Sequence, residues 1–388
     1  MKKILIVTTI AGFLPQFEMN DVEILQSLGY EVHYASNFDV TVYSFDASSL
    51  KKKGIILHQT DIVKSPLGIV NNNKAIKQIK KIIDEENIDI VHCHNPMGGA
   101  DGRVAARLSK KRPFVIYTAH GFHFYKGAPL KNWLIYYPIE KILSRWTDAI
   151  ITINEEDYER ALKFPTGKKN GVYRIHGVGV NSERFKADPE KRKAMRKELN
   201  IPDDAFHIVT AAELNDNKNQ TVVIEAIKNI ARDDVYYSLC GEGPNENSLK
   251  ELIEKYGLSD RVRLLGYRTD IEDVLQSADC FAFPSKREGL GIAAVEALLT
   301  GVPLIASDNR GTREYAIDGK NGFVCDAGSV SDFEEAITKM LDNKDIRDKM
   351  TSYARESAAE FCLGEVGKVM RKVYEDANNY VLEKQGKE

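Results

Sequence analysis

Residues 280–297, with the sequence CFAFPSKREGLGIAAVEA, combine a short apolar strand, a glycine-containing loop and the start of a helix. We expect the strand to end at Phe283 and the helix to begin near Gly291. Apolar runs predict further strands at 3–8, 31–35, 55–58, 88–92, 114–118, 207–212, 236–240, 262–265 and 303–306. Amphipathic stretches such as 16–28 and 74–86 predict helices between them. Repeated β-α units of this kind indicate parallel sheets covered by helices on both faces.

The β-α units fall into two series. A charged, helix-prone stretch at 187–199 separates them, which predicts an α/β protein of two doubly wound, Rossmann-like domains. We place the first domain at 1–185, the second at 186–364 and a long amphipathic C-terminal helix at 365–388, which could cross back to the first domain. Ligands of such sheets bind beyond the carboxyl ends of the strands, in a cleft.

The composition is that of an ordinary globular protein, with 388 residues, 43% hydrophobic and 29% charged. Five scattered cysteines without a Cys-x-x-Cys pair argue against disulfides and structural zinc, and favour a reducing cytosol. Residues 1–182 carry 24 Lys and Arg against 18 Asp and Glu. This net positive charge is weak support for an anionic partner. The apolar stretch 289–306 contains Glu296, Pro303 and three glycines, so we predict no transmembrane segment.

The loop at 284–291 has the features of an anion site. Its glycines permit a tight turn, and the first N–H groups of the following helix would face a ligand such as a diphosphate. Glu288 and Glu296 could bracket a nucleotide sugar, one at the sugar hydroxyls and the other at the ribose. The alternative is that Glu288 caps the helix and Glu296 is a solvated surface residue.

Lys218 follows the first strand of the second domain, where a cation could face the same diphosphate. Its charge would stabilise a phosphate leaving group. The alternative is an exposed loop lysine.

His120, in the segment TAHGFH at 118–123, follows a strand of the first domain. A histidine at that edge can donate to a sugar hydroxyl, although a hydrogen-bonded structural histidine is an equal alternative.

His92 and His94 invite a metal interpretation because alternate residues of a strand share a face. We expect no carboxylate or further Cys/His cluster to complete a site, and the chain contains no Asp-x-Asp pair. The sequence therefore favours metal-independent chemistry without a cofactor.

Aromatic and basic residues are concentrated between Phe122 and Trp146. A helix at 130–145 bearing Trp133 and Lys141 is typical of an interfacial helix at a membrane surface. A domain core with a basic rim is the alternative, and Pro138 weakens the prediction of a continuous helix.

Four segments together resemble the retaining glycosyltransferases of family 4, which have the GT-B fold. They are the Glu288 to Glu296 pattern, TGVPLIASD at 300–308, GTRE at 311–314 and DGKNGFV at 318–324. GVGVNSERF at 177–185 is similar to the segment leading into their interdomain linker, and HGFHFYKG at 120–127 to their exopolysaccharide and capsule members. The resemblance spans essentially the whole chain.

The resemblance implies roles by position. It implies that the catalytic residues are His120, Lys218 and Glu288. The donor-binding residues it implies are Glu213, Tyr267, Arg268, Gly289, Leu290, Gly291 and Glu296. On the acceptor and membrane side we place Gly12, Phe13, His123, Lys126, Trp133 and Lys141. Glu213 stands where the family commonly has an arginine, which puts the usual pair of cations at the diphosphate in doubt. Gly12 is the single glycine of a loop that often has two, which predicts a difference in acceptor recognition.

The implied reaction is metal-independent, retaining transfer from a nucleotide sugar, a UDP-hexose or UDP-N-acetylhexosamine, to a lipid-diphosphate-linked sugar in exopolysaccharide or capsule synthesis. The resemblance also implies a cytoplasmic protein in peripheral contact with the anionic inner membrane face, with no nucleic-acid partner. A nucleotide-sugar epimerase on a similar fold and a catalytically silent sugar-nucleotide-binding subunit remain alternatives, the latter because of Glu213.

Overall fold

A parallel sheet of seven strands organises the first half of the chain in the computed structural model, which describes residues 2–40, 44–167 and 171–385. Its strands are β1 (Lys2–Val7), β2 (Tyr30–Ser36), β3 (Ile56–Gln59), β4 (Ile90–His94), β5 (Phe114–Ala119), β6 (Ala149–Thr152) and β7 (Val172–Arg174). They lie in the order β3-β2-β1-β4-β5-β6-β7. β1 pairs with β2 on one side and β4 on the other, so the topology reverses beside β1, where doubly wound sheets bind ligands.

The central strands are apolar because both faces of this sheet are covered. Ile4 to Val7 are fully buried, as is almost all of β4 and β5. Continuous apolar runs of this kind are typical of parallel strands.

Seven helices of the described residues accompany this sheet. They are α1 (Phe13–Phe17), α2 (Met19–Ser27), α3 (Ala47–Lys52), α4 (Ile69–Glu86), α5 (Pro96–Leu108), α6 (Leu130–Leu143) and α7 (Glu155–Ala161). The single helix predicted at 16–28 is wrong, because Glu18 (φ −121°, ψ 13°) interrupts it between α1 and α2. α6 continues through Pro138. Pro138 removes the hydrogen bond to the Leu134 carbonyl, but both residues are exposed, so water can replace it.

A second parallel sheet has six strands in the described chain. They are β8 (Phe206–Ala211), β9 (Val235–Cys240), β10 (Val262–Gly266), β11 (Cys280–Phe283), β12 (Leu304–Ser307) and β13 (Gly322–Cys325), in the order β10-β9-β8-β11-β12-β13. Its helices are α8 (Pro189–Glu198), α9 (Gln220–Ile230), α10 (Glu246–Lys255), α11 (Ile271–Gln276), α12 (Ile292–Thr300), α13 (Val330–Asp342) and α14 (Lys344–Ser357). The predicted α/β class with two doubly wound sheets is confirmed.

The C-terminal helix α15 (Leu363–Gln385) belongs to the first unit and packs on α2. Residues 386–388 of the predicted helix lie outside the described residues. The chain divides between 179 and 180 and between 362 and 363, a few residues before the predicted boundaries. Among the described helices none is both long enough and apolar enough to cross a membrane.

Candidate functional site

The loop between β11 and α12 in the second unit has a backbone that only glycine fits. Gly291 has φ +96°, and a Cβ there would lie 2.5 Å from the Phe283 ring and 2.8 Å from the Tyr315 hydroxyl. Gly291 is also the N-cap of α12, and no side chain among the described residues caps this helix. The helix start is therefore suited to an anion rather than to a protein cap.

Hydrogen bonds from the next loop hold this segment in place. The Ser285 carbonyl accepts from Ser307 Oγ at 2.6 Å and from Asn309 Nδ2 at 2.9 Å. Asn309 Oδ1 in turn accepts the backbone N–H groups of Gly311 and Thr312. A loop fixed in this way presents its backbone in one arrangement.

Lys218 and Glu288 meet at this loop. Lys218 Nζ lies 2.5 Å from Glu288 Oε1, and 21% and 11% of the two side chains are exposed. The ammonium also lies 5.4 Å from the centroid of the Phe283 ring. Glu288 therefore does not cap α12, and Lys218 is not a freely solvated loop lysine. The two predicted catalytic residues of this unit are in contact.

Two backbone-directed hydrogen bonds keep their loops together. The Lys286 N–H donates to the Asn217 carbonyl at 2.8 Å, and Asn217 Nδ2 donates to the Arg287 carbonyl at 3.0 Å. Asn217 and Arg287 immediately precede Lys218 and Glu288, so these two hydrogen bonds fix the backbone positions of both members of the ion pair.

Glu296 lies one turn into α12 and is not a solvated surface residue. Burial raises the pKa of its carboxyl to about 7, while the charge of Arg184 acts in the opposite direction. Arg184 itself pairs with Glu272 at 2.7 Å. A carboxyl that is held this far out of water is suited to hydrogen bonds with ligand hydroxyls.

The other predicted donor residues are placed differently. Glu213 and Tyr267 are exposed, Tyr267 to 71%. Arg268 is held by Asp270 at 2.6 Å and Glu198 at 3.0 Å. Leu290 is buried, and Gly289 precedes it in the loop, so both offer a ligand only backbone groups. The described contacts do not join Glu213, Tyr267 or Arg268 to the Lys218–Glu288 pair.

His120 in the first unit follows β5 and faces His94, the last residue of β4. His120 Nε2 lies 3.2 Å from His94 Nδ1, and Glu18 Oε1 lies 3.4 Å from His94 Nδ1 and 3.7 Å from His120 Nε2. Burial lowers the pKa of His94 to about 4 and that of His120 to about 3, so both imidazoles are neutral near pH 7. Phe13 covers the group, with its ring centroid 5.0 Å from that of His120.

The expectation that no carboxylate or further histidine lies near His94 is therefore wrong. Glu18 comes from the break between α1 and α2, and His120 from the neighbouring strand. His92 points its nitrogens elsewhere, to the Tyr374 hydroxyl at 3.0 Å and the Thr118 hydroxyl at 2.8 Å. Sequence analysis also missed Asp21, which accepts a 2.7 Å hydrogen bond from Tyr374.

A pocket of about 440 Å³ opens beside His120 within the first unit. Its lining includes Thr9, Lys64, Asn95, Tyr117, His120 and His123. His123 is exposed and stacks on Tyr136 with 4.6 Å between ring centroids. Gly12 is buried at the N-cap of α1 with φ −76°, so its conformation is open to other residues. We refer to this cavity as the first-unit pocket.

The solvent face of α6 is aliphatic rather than aromatic. Trp133 packs on the core, 5.8 Å from Phe124 between ring centroids, with the Arg160 guanidinium 4.6 Å from its ring. Its ring faces the core, and its place on the membrane side stays a prediction. Lys126 and Lys141 are exposed. The exposed apolar residues of α6 are Leu130, Leu134, Ile135, Ile139 and Ile142.

Comparison with known proteins gives matches over both units. The model of the family "Glycosyl transferases group 1" matches residues 191–357, and that of "Glycosyl transferase 4-like" matches residues 19–154. EpsD of Bacillus subtilis (strain 168), a provisionally assigned glycosyltransferase, is 38% identical over 379 residues, covering 96% of each chain.

Two further matches extend the comparison. A UDP-Gal:α-D-GlcNAc-diphosphoundecaprenol α-1,3-galactosyltransferase of Escherichia coli is 29% identical over 283 residues, covering 72% of this chain and 73% of its own. The crystal structure of Anabaena HepE in complex with UDP and glucose is similar, with a TM-score of 0.78 and 19% identity, over 97% of this chain and 100% of that chain.

Proposed function

We propose a sugar-transfer reaction for this chain, which belongs to the glycosyltransferases of group 1, also described as 4-like, and has their GT-B fold. In this reaction the protein transfers a sugar from a UDP-linked donor to a lipid-diphosphate-linked sugar. The observation that carries the proposal is the contact of Lys218 with Glu288 beside the uncapped start of α12. It brings together a cation, a carboxylate and helix N–H groups, which suit a ligand that carries a diphosphate next to sugar hydroxyls.

The donor is activated through its leaving group. In the reaction the bond between the sugar C1 and the phosphate oxygen breaks, and negative charge grows on the departing diphosphate. Lys218 and the N–H groups at the start of α12 stabilise that charge. Glu288 orients the sugar through its hydroxyls, and Glu296 accepts hydrogen bonds from the ribose.

Transfer occurs with retention of the anomeric configuration. The acceptor hydroxyl attacks C1 from the face that the diphosphate leaves, and its proton passes to the departing phosphate oxygen. His120 donates a hydrogen bond to a substrate hydroxyl. Lys218 and the helix start supply the charge that a bridging Mg²⁺ provides in other transferases, so the diphosphate needs no metal ion.

The acceptor is a sugar on a polyprenyl diphosphate of exopolysaccharide or capsule synthesis, at the cytoplasmic face of the membrane. Support comes from the Escherichia coli relative, whose name specifies such an acceptor. The first-unit pocket, with His123 and Lys64 at its rim, has room and polar groups for the acceptor sugar.

The aliphatic face of α6 brings the protein to that membrane. Leu134 is 68% exposed and Ile135 52%, with the exposed Lys141 on the same helix. Leu67 and Val70 of the same unit are also exposed apolar residues, at 86% and 80%. Apolar residues with flanking lysines are the composition of an interfacial segment.

A donor panel tests the reaction. Purified protein is given UDP- and other nucleotide sugars, with and without a polyprenyl-diphosphate-linked sugar, in the presence of EDTA to remove Mg²⁺ and Mn²⁺. We expect acceptor-dependent UDP release and a product whose anomeric coupling in NMR matches that of the donor. Tight UDP binding without turnover would favour the silent subunit, and an altered free nucleotide sugar would favour the epimerase.

Vesicle sedimentation tests the membrane contact separately. We expect wild-type protein to sediment with vesicles of phosphatidylglycerol and phosphatidylcholine, and the Leu134→Asp, Ile139→Asp double variant to remain in solution. Leu382→Asp on α15, a residue of 48% exposure, is the matched control and should bind like wild type. Equal sedimentation of the two variants would remove α6 from the interface.

A further inference from the structure

We propose that Glu18, His94 and His120 form a binding site for one divalent transition-metal ion, with Zn²⁺ as the best match. The site lies entirely within the first unit and does not rest on the proposed function. None of its residues belongs to the Lys218–Glu288 pair of the second unit.

The geometry of the three ligand atoms carries this inference. Glu18 Oε1, His94 Nδ1 and His120 Nε2 form a triangle with sides of 3.2, 3.4 and 3.7 Å. The point equidistant from its three corners is about 2.0 Å from each, which is the length of a bond from zinc to imidazole nitrogen or carboxylate oxygen. An ion at or just above this point would lie within bonding distance of all three atoms.

An unsatisfied buried oxygen gives independent support. Glu18 is 5% exposed, and its Oε1 receives no hydrogen bond from the described residues although it faces the two imidazoles. A buried carboxylate oxygen without a donor or a cation is costly, and a divalent ion supplies the partner that Oε1 lacks.

Groups behind the ligands provide the support that metal sites use. Asp21 hydrogen-bonds to Glu18, and Tyr374 donates to Asp21 at 2.7 Å. Hydrogen bonds of this kind orient a ligating carboxylate. Tyr374 lies on α15, so the C-terminal helix is part of the support.

The donor set determines which ion fits. Two imidazoles and one carboxylate suit zinc and other late first-row metals, whereas Mg²⁺ prefers oxygen ligands and water. Three protein ligands leave a coordination position for water. With its Nε2 on the metal, His120 would carry its proton on Nδ1 and keep one fixed donor at the first-unit pocket.

A second histidine pair of the same unit provides a matched control. His33 Nδ1 lies 2.9 Å from His58 Nε2, and His33 Nε2 lies 2.9 Å from Glu31 Oε1. This group also has two histidines and a glutamate, but the two contacts use opposite sides of the His33 ring. Its ligand atoms do not converge on one point, so it should bind no ion tightly.

The test is zinc binding by the full chain. Protein is freed of metal by dialysis against a chelator, and Zn²⁺ alone is titrated in competition with a chromogenic chelator. We expect wild type and His58→Asn each to bind one equivalent of Zn²⁺ tightly, and excess Mg²⁺ not to displace it. Glu18→Gln and His120→Asn should weaken that equivalent at least about 100-fold, since they remove a ligand.

Circular dichroism of each variant shows whether it folds. If Glu18→Gln is unfolded, His120→Asn decides, because the His120 side chain is 21% exposed and its replacement disturbs the core less. The proposal is overturned if wild type binds no tight equivalent, or if folded His120→Asn keeps it. Loss of the equivalent in His58→Asn as well would overturn the assignment to these three residues.

Discussion

The two candidate sites differ in how their charges are balanced. In the second unit, Glu288 pairs with Lys218, and both side chains stay partly exposed. In the first unit, Glu18 and Asp21 are buried beside neutral histidines, and burial raises the pKa of each carboxyl to about 8. A site with its own cation can bind an anionic ligand at once, whereas a buried acidic cluster lacks a positive partner. The predictions below test this contrast.

The largest effect is expected from Glu288→Gln. The substitution keeps the size of the side chain but removes the charge that pairs with Lys218 and orients the sugar. We expect kcat/KM for transfer to fall at least about 100-fold, the usual cost of removing one preorganised polar contact at a reacting centre. Steady-state UDP release with the acceptor present measures it.

Glu335→Gln is the matched control for that variant, because Glu335 is an exposed carboxylate that pairs with Lys339 on α13. Its kcat/KM should stay at the wild-type level. A Glu288→Gln enzyme that turns over like wild type would show that the balanced pair of the second unit is structural.

Tyr374→Phe tests the acidic cluster of the first unit. It leaves the buried Asp21 carboxyl without its donor, so we expect the free energy of unfolding of this unit to fall by about 2 kcal/mol. Urea unfolding followed by tryptophan fluorescence reports on this unit, because both tryptophans, Trp133 and Trp146, lie in it.

The corresponding tyrosine of the second unit serves as the control. Tyr237 is buried and bonds to the Thr210 hydroxyl at 2.8 Å. Tyr237→Phe should leave the tryptophan transition in place, because it acts in the other unit. If both variants shift that transition equally, the two units unfold together and the contrast must be measured by hydrogen exchange.

How far the sequence predicts each site depends on where the residues lie in the chain. Glu288, Gly291 and Glu296 belong to one strand-loop-helix segment, so local pattern was sufficient to group them. Lys218 could be added because parallel strands end at one edge of a sheet. The cluster of Glu18 and His120 brings together distant segments, and no spacing connects them before the fold is known.

The fold was predicted in the same uneven way. Long buried strands such as β1 and β5 stand out as apolar runs, whereas the three-residue strand β7 is too short for a pattern. The aromatic content of this segment predicted that Trp133 lies at a membrane surface. The sequence does not say which face of the helix packs on the core, where Trp133 lies. The break at Glu18 depends on tertiary contacts and not on helix propensity.

Lys218→Met tests whether the cation of the second site binds the diphosphate of the donor. The ammonium is the positive charge of the second site, so its loss should weaken UDP binding about tenfold, or about 1.4 kcal/mol. Isothermal titration calorimetry with UDP measures the affinity. Lys320→Met, at an exposed lysine of the same unit, should bind UDP normally. Unchanged affinity in Lys218→Met would mean that the lysine serves only Glu288.

The smallest effect is expected from Glu296→Gln, which tests the carboxyl of the second site whose pKa is raised by burial. The folded pKa of Glu296 is about 7, above its ordinary value of 4.5, so its stabilising contribution is complete below 4.5 and is lost as pH rises through 7. The neutral amide removes that loss. Allowing for partial exposure of the side chain, we expect the free energy of unfolding to rise by about 1 kcal/mol at pH 8 and by little at pH 4.

Thermal unfolding of wild type and Glu296→Gln at the two pH values measures this gain, with Glu335→Gln as the exposed control. An equal gain at both pH values would show that burial does not hold this carboxyl neutral, and the contrast between the two units would then rest on Glu18 and Asp21 alone.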